Sequence, residues 1–336
     1  MSIRIGVNGI GRIGRNLWRI IHTSAPDVEI VAINDIAGAE TVGHLLRYGS
    51  IRGPFPGEVV TTADAIVVDG RAVPLTRHSR PEQIPWREYG VDLVLESTGQ
   101  FTRDRAAAGH LRAGAPRVII STASPDADAS LMMGVNETAF DPRRHRIVSN
   151  SCCTTYCLGT ILHALDHVYG VVSATATVAY AYGGRPGQLL DGVFPNLRMA
   201  RANPITIAPV NVPGVRHALN RVLPELAGRV AATAIRVPAE ATSAASMVLR
   251  LSHPASATEV NQTLEVASAT VLKESLGVSH EPLVSTDVLG RPYAALVDAG
   301  LTMSLGDLVR VVGWYDNEWG YAHRLLELIR FIAHQV

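Results

Sequence analysis

The chain has 336 residues, of which 47% are hydrophobic and 18% are charged, and its 30 basic and 30 acidic side chains give a formal net charge of zero. This length exceeds one typical hydrophobic core, so we expect two domains or one domain with a large lobe. The balanced charge argues against a surface that binds nucleic acid. The first residues, MSIRIGVNGIG, lack a long apolar stretch, so we expect no signal peptide, no membrane span and a cytoplasmic protein.

The first 150 residues alternate short apolar strands with helix-like segments. Residues 3–7 alternate as a strand does, and apolar residues at helical spacing follow from residue 13 to residue 21. Further apolar runs lie at 28–34, 91–95, 117–120 and 147–148, and a helix-like stretch lies at 103–113. This order predicts an α/β domain with a doubly wound parallel sheet.

The second half of the chain has a different pattern of helix-like and strand-like segments. A helix with apolar side chains at Cys157, Ile161, Leu162, Leu165 and Val168 is predicted, and β-rich runs follow at 171–182, 231–237 and 245–251. These runs predict an α+β domain with a mostly antiparallel sheet. The stretch 183–213 is rich in Gly, Pro and Asn, and its length suggests a functional loop. Residues 321–333 carry apolar side chains at helical spacing, which predicts a C-terminal helix.

A glycine-rich turn joins the first predicted strand to the first predicted helix. Gly9, Gly11 and Gly14 form a GxGxxG motif, and Asp35 ends the second strand about twenty residues further on. Gly9 would allow the tight turn, Gly11 the approach of a pyrophosphate, and Gly14 the packing of the helix on the strand. A carboxylate at Asp35 would accept hydrogen bonds from ribose hydroxyls and repel a 2′-phosphate. The pattern therefore predicts a site for NAD rather than NADP.

The three cysteines of the chain lie within six positions, at 152, 153 and 157. They are too few and too close together for a disulfide framework, and no zinc-like spacing surrounds them, so we expect no metal. Cys153 stands at the start of a predicted helix, where the macrodipole favours a thiolate, so it is a candidate nucleophile. Cys157 begins the apolar stripe of that helix and is expected in the core. The alternative for each cysteine is a buried, inert thiol.

Several motifs resemble those of the phosphorylating glyceraldehyde-3-phosphate dehydrogenases and, in several stretches, the erythrose-4-phosphate dehydrogenase branch of that family. The matching segments run nearly end to end: VNGIGRIGRN at 7–16, NDI at 34–36, IPWREYGVDLVLESTG at 84–99, IVSNSCCTTYCL at 147–158, LPEL at 223–226, IRVP at 235–238, PLVSTD at 282–287 and WYDNEWGYAHR at 314–324. The resemblance implies a Rossmann NAD-binding domain at 1–151, with the C-terminal helix 315–336 packed back on it, and a catalytic domain at 152–314. It also implies a homotetramer that acts on a small-molecule aldehyde.

The resemblance assigns candidate roles in cofactor binding. Backbone N–H groups of Arg12 and Ile13 would meet the pyrophosphate, and Asp35 would hold the adenosine ribose. The other expected cofactor contacts are Thr98, Ser121, Asn317 and Tyr321. Asn317 would bind the nicotinamide carboxamide, with Tyr321 packed nearby.

The resemblance also assigns the chemistry of the thiol. Cys153 occupies the place of the nucleophile, and Arg236 that of an arginine that binds the substrate phosphate. Cys152, Thr154 and Arg185 complete the expected substrate site. In the family reaction the thiolate attacks an aldehyde, the thiohemiacetal gives hydride to NAD, and phosphate cleaves the thioester.

The chain departs from the family pattern at several positions. The family has a histidine beside the nucleophile, in a strand reading roughly TTIHS, whereas the chain has Tyr180 there and no histidine between His167 and His217. A tyrosine is a poor base at neutral pH, although its hydroxyl can orient an oxyanion. Tyr156 replaces an asparagine, and Val212 falls where a phosphate-binding threonine belongs. Valine cannot donate a hydrogen bond to an attacking phosphate.

Three functions follow as hypotheses. The first is an NAD-dependent aldehyde dehydrogenase that uses Cys153 and Tyr180, with a substrate or acyl acceptor that differs from the family's. The second is ordinary oxidation of glyceraldehyde 3-phosphate or erythrose 4-phosphate. The third is an NAD-binding homologue whose catalysis is impaired and whose role is non-enzymatic or repurposed.

Overall fold

A computed structural model describes residues 2–181, 192, 196–202 and 205–335 of the chain. The chain forms two compact units, and each is described by itself. Unit 1 comprises residues 1–131, 138–151 and 322–336, and unit 2 comprises residues 132–137 and 152–321. The last segment of unit 1 begins at residue 322, and residues 315 and 316 pair within the sheet of unit 2. The domain bounds expected from the sequence stay predictions.

The elements of unit 1 up to residue 151 follow the expected alternation. They are β1 (Ile3–Asn8), α1 (Arg12–Ser24), β2 (Val28–Asn34), α2 (Ala39–Arg47), β3 (Tyr48–Gly49), β4 (Gly53–Pro54), β5 (Val59–Thr61), β6 (Ala65–Val68), β7 (Arg71–Thr76), α3 (Trp86–Tyr89), β8 (Leu93–Glu96), α4 (Ala108–Arg112), β9 (Val118–Ile120), β10 (Ala129–Ser130) and β11 (Ile147–Ser149). The helix predicted over 103–113 is shorter than expected. Asp104 and Arg105 have φ values of 55° and 51°, which an α-helix does not tolerate.

The sheet of unit 1 has the strand order β10-β11-β9-β8-β1-β2-β7-β6-β5. The strands from β10 to β7 pair in parallel, and β5 and β6 form an antiparallel extension. The strand order reverses beside β1, because the chain adds β2 on one side and β8 on the other. In a doubly wound sheet, ligands bind at the carboxyl ends of the strands at this reversal point. The predicted Rossmann architecture is confirmed.

Unit 2 consists of a second sheet and the helices that cover it. Its elements, continuing to the end of the chain, are α5 (Cys153–Tyr169), β12 (Val171–Ala181), β13 (Ala208–Asn211), α6 (Pro213–Val222), β14 (Val230–Val237), β15 (Thr242–Leu251), α7 (Ala257–Ala269), β16 (Leu276–Ser279), β17 (Ala295–Asp298), β18 (Met303–Leu305), β19 (Leu308–Asp316) and α8 (Trp319–His334). The sheet order is β13-β14-β12-β15-β19-β17-β16, and β18 pairs with β19. Most of these pairs are antiparallel, as predicted, while β12 with β14 and β16 with β17 are parallel.

The C-terminal helix α8 contributes most of its length to unit 1. The Arg330 guanidinium binds the Asp27 carboxylate through two hydrogen bonds of 2.7 and 2.5 Å, and the Phe331 ring meets the Phe140 ring at a centroid distance of 6.0 Å. In the part of the chain that the structure describes, no helix has the length and apolar character needed to span a membrane.

Candidate active site

The glycine turn of unit 1 has the geometry that a dinucleotide requires. Gly9 has a φ of 89°, and a Cβ at this position would lie 2.8 Å from the Thr98 side chain. A Cβ at Gly14 would lie 2.9 Å from the carbonyl oxygen of Gly9, so α1 packs closely on the turn. A Cβ at Gly11 would meet nothing within 4 Å. Gly9 and Gly14 therefore shape the turn, and Gly11 leaves open space beside the start of α1.

The start of α1 is suited to an anion. The helix begins at Arg12, its N-cap Gly11 offers no capping side chain, and its first turn holds no acidic residue. The first N–H groups of a helix have no acceptor within the helix, and the macrodipole adds a partial positive charge there. A pyrophosphate placed against Arg12 and Ile13 would satisfy both features.

A cavity of about 220 Å³ opens beside this turn. Its lining includes Asn8, Gly11, Asp35, His78, Ser97 and Thr98. One carboxylate oxygen of Asp35 accepts the Ile10 N–H at 2.9 Å, and the other accepts the Ala37 N–H at 2.9 Å. The carboxylate is thereby fixed in direction, and each oxygen keeps a second lone pair for a ribose hydroxyl.

One buried polar atom of the cavity fits a bound dinucleotide. Ser97 Oγ, in the wall of the cavity, has no hydrogen-bond partner among the described residues. The expected contact of Asn317, in unit 2, with the cofactor stays a prediction. A buried acceptor or donor without a partner costs about 1–3 kcal/mol. Ligand hydroxyl and amide groups would remove that cost, so the residues present fit NAD.

The remaining expected cofactor residues lie in ordered positions. The Ser121 N–H donates to the Glu96 carbonyl oxygen at 2.9 Å, at the end of β9. Tyr321 is buried in unit 2, where its ring meets the Tyr156 ring edge-on at a centroid distance of 6.1 Å. The expected contacts of Ser121, Thr98 and Tyr321 with the cofactor stay predictions.

The cysteine cluster lies where the chain enters α5. Cys152 is the N-cap of this helix, and its sulfur accepts the Thr155 N–H at 3.5 Å. Cys153 is the first helical residue, where the sequence expects it either just before the helix or at its first turn. The preceding Ser151 has a φ of 52°, so the chain turns sharply before the helix.

Two hydroxyl groups contact the Cys153 thiol. The side chains of Tyr180 and Thr154 both hydrogen-bond to its sulfur, and the Thr154 hydroxyl lies 2.8 Å from the Tyr315 hydroxyl. Burial of the sulfur raises the pKa of the Cys153 thiol to about 12, and proximity to Cys152 adds to this, while the hydrogen bonds from Tyr180 and Thr154 oppose it. Cys153 is only half-buried, so the expectation that the helix start favours a thiolate stays a prediction.

Tyr180 and Arg236 lie side by side on the face of the sheet that meets α5. Tyr180 of β12 pairs in register with Arg236 of β14, so the two side chains point to the same face. Ser243 of β15 pairs with Tyr315 of β19, and its hydroxyl oxygen accepts the Ala181 N–H at 3.1 Å. The sheet thus brings Arg236, Tyr180 and Tyr315 together below Cys153. Arg185 lies outside the described residues.

Two residues near Cys153 in α5, Cys157 and Tyr156, contact other parts of unit 2. Cys157 is fully buried and its sulfur lies 3.8 Å from the Gly313 carbonyl oxygen, which confirms its predicted place in the core. The Tyr156 hydroxyl accepts the Met133 N–H at 3.2 Å. The Thr154 hydroxyl is engaged with Tyr315, so any contact of Thr154 or Cys152 with substrate stays a prediction.

Sequence reasoning missed two groups of residues. Tyr315 lies in the segment WYDNEWGYAHR that resembles the family, but the sequence alone does not place it near the thiol. The pairing of β19 with β15 brings Tyr315 below the thiol. Asn8, Asn34 and Glu96 are buried polar residues that end β1, β2 and β8. A polar residue at the carboxyl end of an apolar parallel strand was the available signal for this second group.

The fold and these two sites define a dinucleotide-dependent oxidoreductase with a cysteine at a helix start. Comparison with known proteins gives the family. The description "Glyceraldehyde 3-phosphate dehydrogenase, NAD binding domain" matches residues 3–104, and "Glyceraldehyde 3-phosphate dehydrogenase, C-terminal domain" matches residues 152–317.

Three relatives show that the similarity covers the full chain. Glyceraldehyde-3-phosphate dehydrogenase 1 of Streptomyces avermitilis is 42% identical over 333 residues, which cover 99% of each chain. Glyceraldehyde-3-phosphate dehydrogenase of Geobacillus stearothermophilus is 41% identical over 334 residues, again 99% of each chain. Glyceraldehyde-3-phosphate dehydrogenase 2 of Bacillus subtilis is 40% identical over 99% of this chain and 97% of the relative.

The chain belongs to the glyceraldehyde-3-phosphate dehydrogenase family, and it is an NAD-dependent dehydrogenase of that family. The expected closeness to the erythrose-4-phosphate branch is not tested by these relatives and stays a prediction.

Proposed function

We propose that this protein oxidises a phosphorylated aldehyde with NAD through a covalent bond to Cys153, and that glyceraldehyde 3-phosphate is its first candidate substrate. The observation that carries the covalent part is the contact of the Cys153 sulfur with the Tyr180 hydroxyl. The names of relatives that are 40–42% identical over nearly the whole chain support the substrate. This ordinary family substrate is better supported than the diverged one that the sequence alone favours.

The cofactor residues keep their expected roles in this proposal. Asp35 would bind the adenosine ribose, the N–H groups of Arg12 and Ile13 would bind the pyrophosphate, and Asn317 would bind the carboxamide. Thr98, Ser121 and Tyr321 complete the expected contacts. A bound NAD would supply the hydride acceptor for oxidation of the carbon that is attached to Cys153.

The first step is addition of the thiol to the aldehyde. The sulfur–carbon bond forms, the carbonyl double bond becomes single, and the thiol proton ends on the oxygen. Tyr180 can accept the thiol proton while it donates its own to that oxygen, because its hydroxyl already contacts the sulfur. A protonated thiol with a pKa of about 12 therefore need not ionise before it reacts.

The second step needs a base. As hydride leaves the carbon, the hydroxyl proton of the thiohemiacetal must leave the oxygen, and Tyr180 accepts it only as a phenolate. A tyrosine ordinarily ionises near pH 10, so roughly one phenol in a thousand is ionised at pH 7. We therefore expect oxidation to speed up as pH rises above neutrality.

The third step releases the product. An oxygen of monohydrogen phosphate attacks the thioester carbon, the carbon–sulfur bond breaks, and the Cys153 sulfur takes up the proton that the phosphate loses. Arg236, beside Tyr180 on the same sheet face, would hold an anionic group of the substrate or of the attacking phosphate. Arg185 keeps its proposed role at this site on sequence grounds alone.

One observation favours a second candidate, in which another nucleophile replaces phosphate. Val212 is the N-cap of α6, where it offers no side-chain hydrogen bond. The family resemblance expects a phosphate-binding threonine near this position. A site that lacks this donor binds phosphate less well.

The decisive experiment follows NADH formation from glyceraldehyde 3-phosphate with and without phosphate. The first candidate predicts a single-turnover burst without phosphate and continuous turnover with it. Continuous turnover without phosphate would support the second candidate. Absence of both a burst and turnover at every pH from about 7 to about 10 would contradict the proposed oxidation and favour a non-catalytic role.

We propose that the protein assembles as a homotetramer. The outer face of the sheet in unit 2 carries small and β-branched side chains, with Thr177 paired with Thr233 and Thr175 paired with the exposed Val248. Such a face fits a second copy of the chain. Light scattering should give four times the chain mass, and a monomeric mass at micromolar concentration would contradict the proposal.

A further inference from the structure

Three buried side chains of unit 1 form a hydrogen-bonded chain that does not line the cavity. The Trp86 indole N–H donates to His110 Nδ1 at 2.9 Å, and His110 Nε2 lies 2.9 Å from a Glu96 carboxylate oxygen. Because Nδ1 accepts from the indole, the hydrogen of a neutral imidazole stands on Nε2 and is donated to Glu96. Trp86 and His110 are fully buried, so both are placed by packing as well as by these bonds.

Glu96 is the centre of this network. One of its carboxylate oxygens accepts the Thr98 N–H at 2.8 Å and the Thr98 hydroxyl at 2.5 Å. The other accepts the Asn8 amide at 2.6 Å in addition to His110 Nε2. Four donors thus converge on one buried carboxylate, which uses the lone pairs that its two oxygens offer.

The network includes five residues that line the cavity. The Thr98 hydroxyl oxygen accepts the Gln100 N–H at 3.1 Å, which orders the segment after β8. Asn8 accepts from the Asn34 amide at 2.8 Å, and Asn34 in turn accepts the His78 N–H at 2.8 Å. Asn8, Asn34, His78, Thr98 and Gln100 all line the cavity, whereas Glu96 does not.

Thr98 also borders the glycine turn. A Cβ at Gly9 would lie within 2.9 Å of Thr98 backbone and side-chain atoms, so the turn and this segment are in direct contact. A shift of Thr98 would therefore change the space in which the pyrophosphate and ribose are expected.

We infer that Glu96 is a positioning residue for the NAD cavity, and that Trp86 and His110 act on NAD affinity from outside the cavity by holding that carboxylate. The inference uses NAD binding only and is independent of the aldehyde substrate and of Cys153. It predicts that removal of a single donor remote from the ligand weakens NAD binding.

The test measures the dissociation constants of NAD and of ADP-ribose by calorimetry on the full chain. Glu96→Gln keeps the shape of the side chain but sets an amide N–H₂ against the donors of Thr98, Asn8 or His110. We expect both ligands to bind about tenfold or more weakly, because a buried donor loses its acceptor. The KM for NAD should rise by a similar factor, while kcat stays within about threefold of wild type.

Trp86→Phe is the milder variant and keeps the ring in the core. The imidazole of His110 then loses the donor that fixes its tautomer, so we expect about threefold weaker NAD binding. In the double variant Glu96→Gln/Trp86→Phe, NAD should bind no more weakly than in Glu96→Gln alone, because both changes act through one carboxylate.

Ile66→Val is the matched control, since Ile66 is fully buried in β6 of the same unit and contributes nothing to the network. It should lower stability without changing NAD affinity. The inference is overturned if NAD affinity in Trp86→Phe stays within the error of wild type, or if Ile66→Val weakens binding as much. The inference is also overturned if the factors by which the two single variants raise the dissociation constant of NAD multiply in the double variant. If Glu96→Gln does not fold, the result for Trp86→Phe alone decides.

Discussion

The dinucleotide cavity of unit 1 and the surroundings of Cys153 in unit 2 differ in the polar groups that they contain. Around the cavity, the carboxylates of Asp35 and Glu96 are held by N–H and O–H donors. Around Cys153, the sulfur contacts the uncharged hydroxyls of Tyr180 and Thr154, and burial raises the thiol pKa to about 12. The cavity is organised by carboxylates that accept hydrogen bonds, whereas the thiol lies among hydroxyl groups.

This difference separates binding from reactivity. Donors that are fixed before the ligand arrives need no reorganisation, so we expect NAD affinity to vary little with pH above neutrality. The chemistry at Cys153 depends on protons held by a thiol and a phenol, so its rate should depend steeply on pH. Variants in one region should therefore leave the property of the other unchanged.

Cys153→Ala should have the largest effect. It removes the atom that forms the covalent bond, so we expect kcat to fall by more than about a thousandfold. The dissociation constant for NAD should stay within about twofold of wild type. Steady-state kinetics and calorimetry on the same preparation check both statements, and substantial residual turnover would refute the covalent mechanism.

Tyr180→Phe should lower turnover by about a hundredfold, because it removes a group that transfers protons in two steps. Tyr315→Phe is the matched control, since the Tyr315 hydroxyl lies 2.8 Å from the Thr154 hydroxyl, which in turn hydrogen-bonds to the sulfur. We expect this control to lose less than about tenfold. Equal losses in the two variants would show that Tyr180 acts through packing alone.

Asp35→Ala should act on binding alone. The variant loses the carboxylate expected to meet the ribose and leaves the Ile10 and Ala37 N–H groups without their acceptor. We expect the KM for NAD to rise about tenfold with kcat nearly unchanged, and discrimination against NADP to fall. Kinetics with both cofactors test this, and an unchanged NAD-to-NADP ratio would contradict the proposed role.

The free energy of unfolding should depend on pH through His323 of unit 1. Burial and the nearby Arg324 and Arg330 lower the pKa of His323 to about 4, against about 6.5 in the unfolded chain. Between these values the unfolded chain binds more protons, so stability should fall by about 1–2 kcal/mol as pH drops from about 6.5 to about 4. Denaturant unfolding across this range should show a shallower slope for His323→Gln, and an identical slope would refute the assignment.

Cys152 should have the smallest effect. Its sulfur caps α5 by accepting the Thr155 N–H at 3.5 Å, which is a long contact. Cys152→Ser supplies a better capping oxygen and should leave the free energy of unfolding equal or about 0.5 kcal/mol higher, whereas Cys152→Ala should lower it by about 0.5–1 kcal/mol. Chemical denaturation distinguishes these outcomes, and a more stable Ala variant would contradict the capping role.

The sequence was most informative where a site is local. Gly9, Gly11, Gly14 and the start of α1 lie within six residues, so their spacing and the flanking strand predict the turn directly. Cys153 at the start of a helix is a local feature of the same kind. These parts of the site could be read before the fold was known.

What escaped prediction depends on distant strands. The surroundings of the Cys153 thiol include Tyr180 and Thr154, which come from β12 and α5, and Tyr315 of β19 meets the Thr154 hydroxyl. The burial that raises its pKa is a property of the packed unit, and no local pattern encodes it. The prediction of a helix over 103–113 was too long for a local reason. Asp104 and Arg105 have positive φ values, which cannot be predicted from the spacing of hydrophobic residues.

The most direct test of the pairing between Cys153 and Tyr180 is the pH dependence of Cys153 alkylation by iodoacetamide. Mass spectrometry would resolve the three cysteines in the NAD-free protein and in Tyr180→His. A thiol with a pKa of about 12 should react about tenfold faster per pH unit from about pH 7 to about pH 10 without a plateau.

In Tyr180→His an imidazole replaces the phenol, so labelling at pH 7 should be at least tenfold faster and should level off at lower pH. A wild-type rate that levels off near neutral pH, or a Tyr180→His profile identical to it, would contradict the account of a neutral thiol held by a tyrosine.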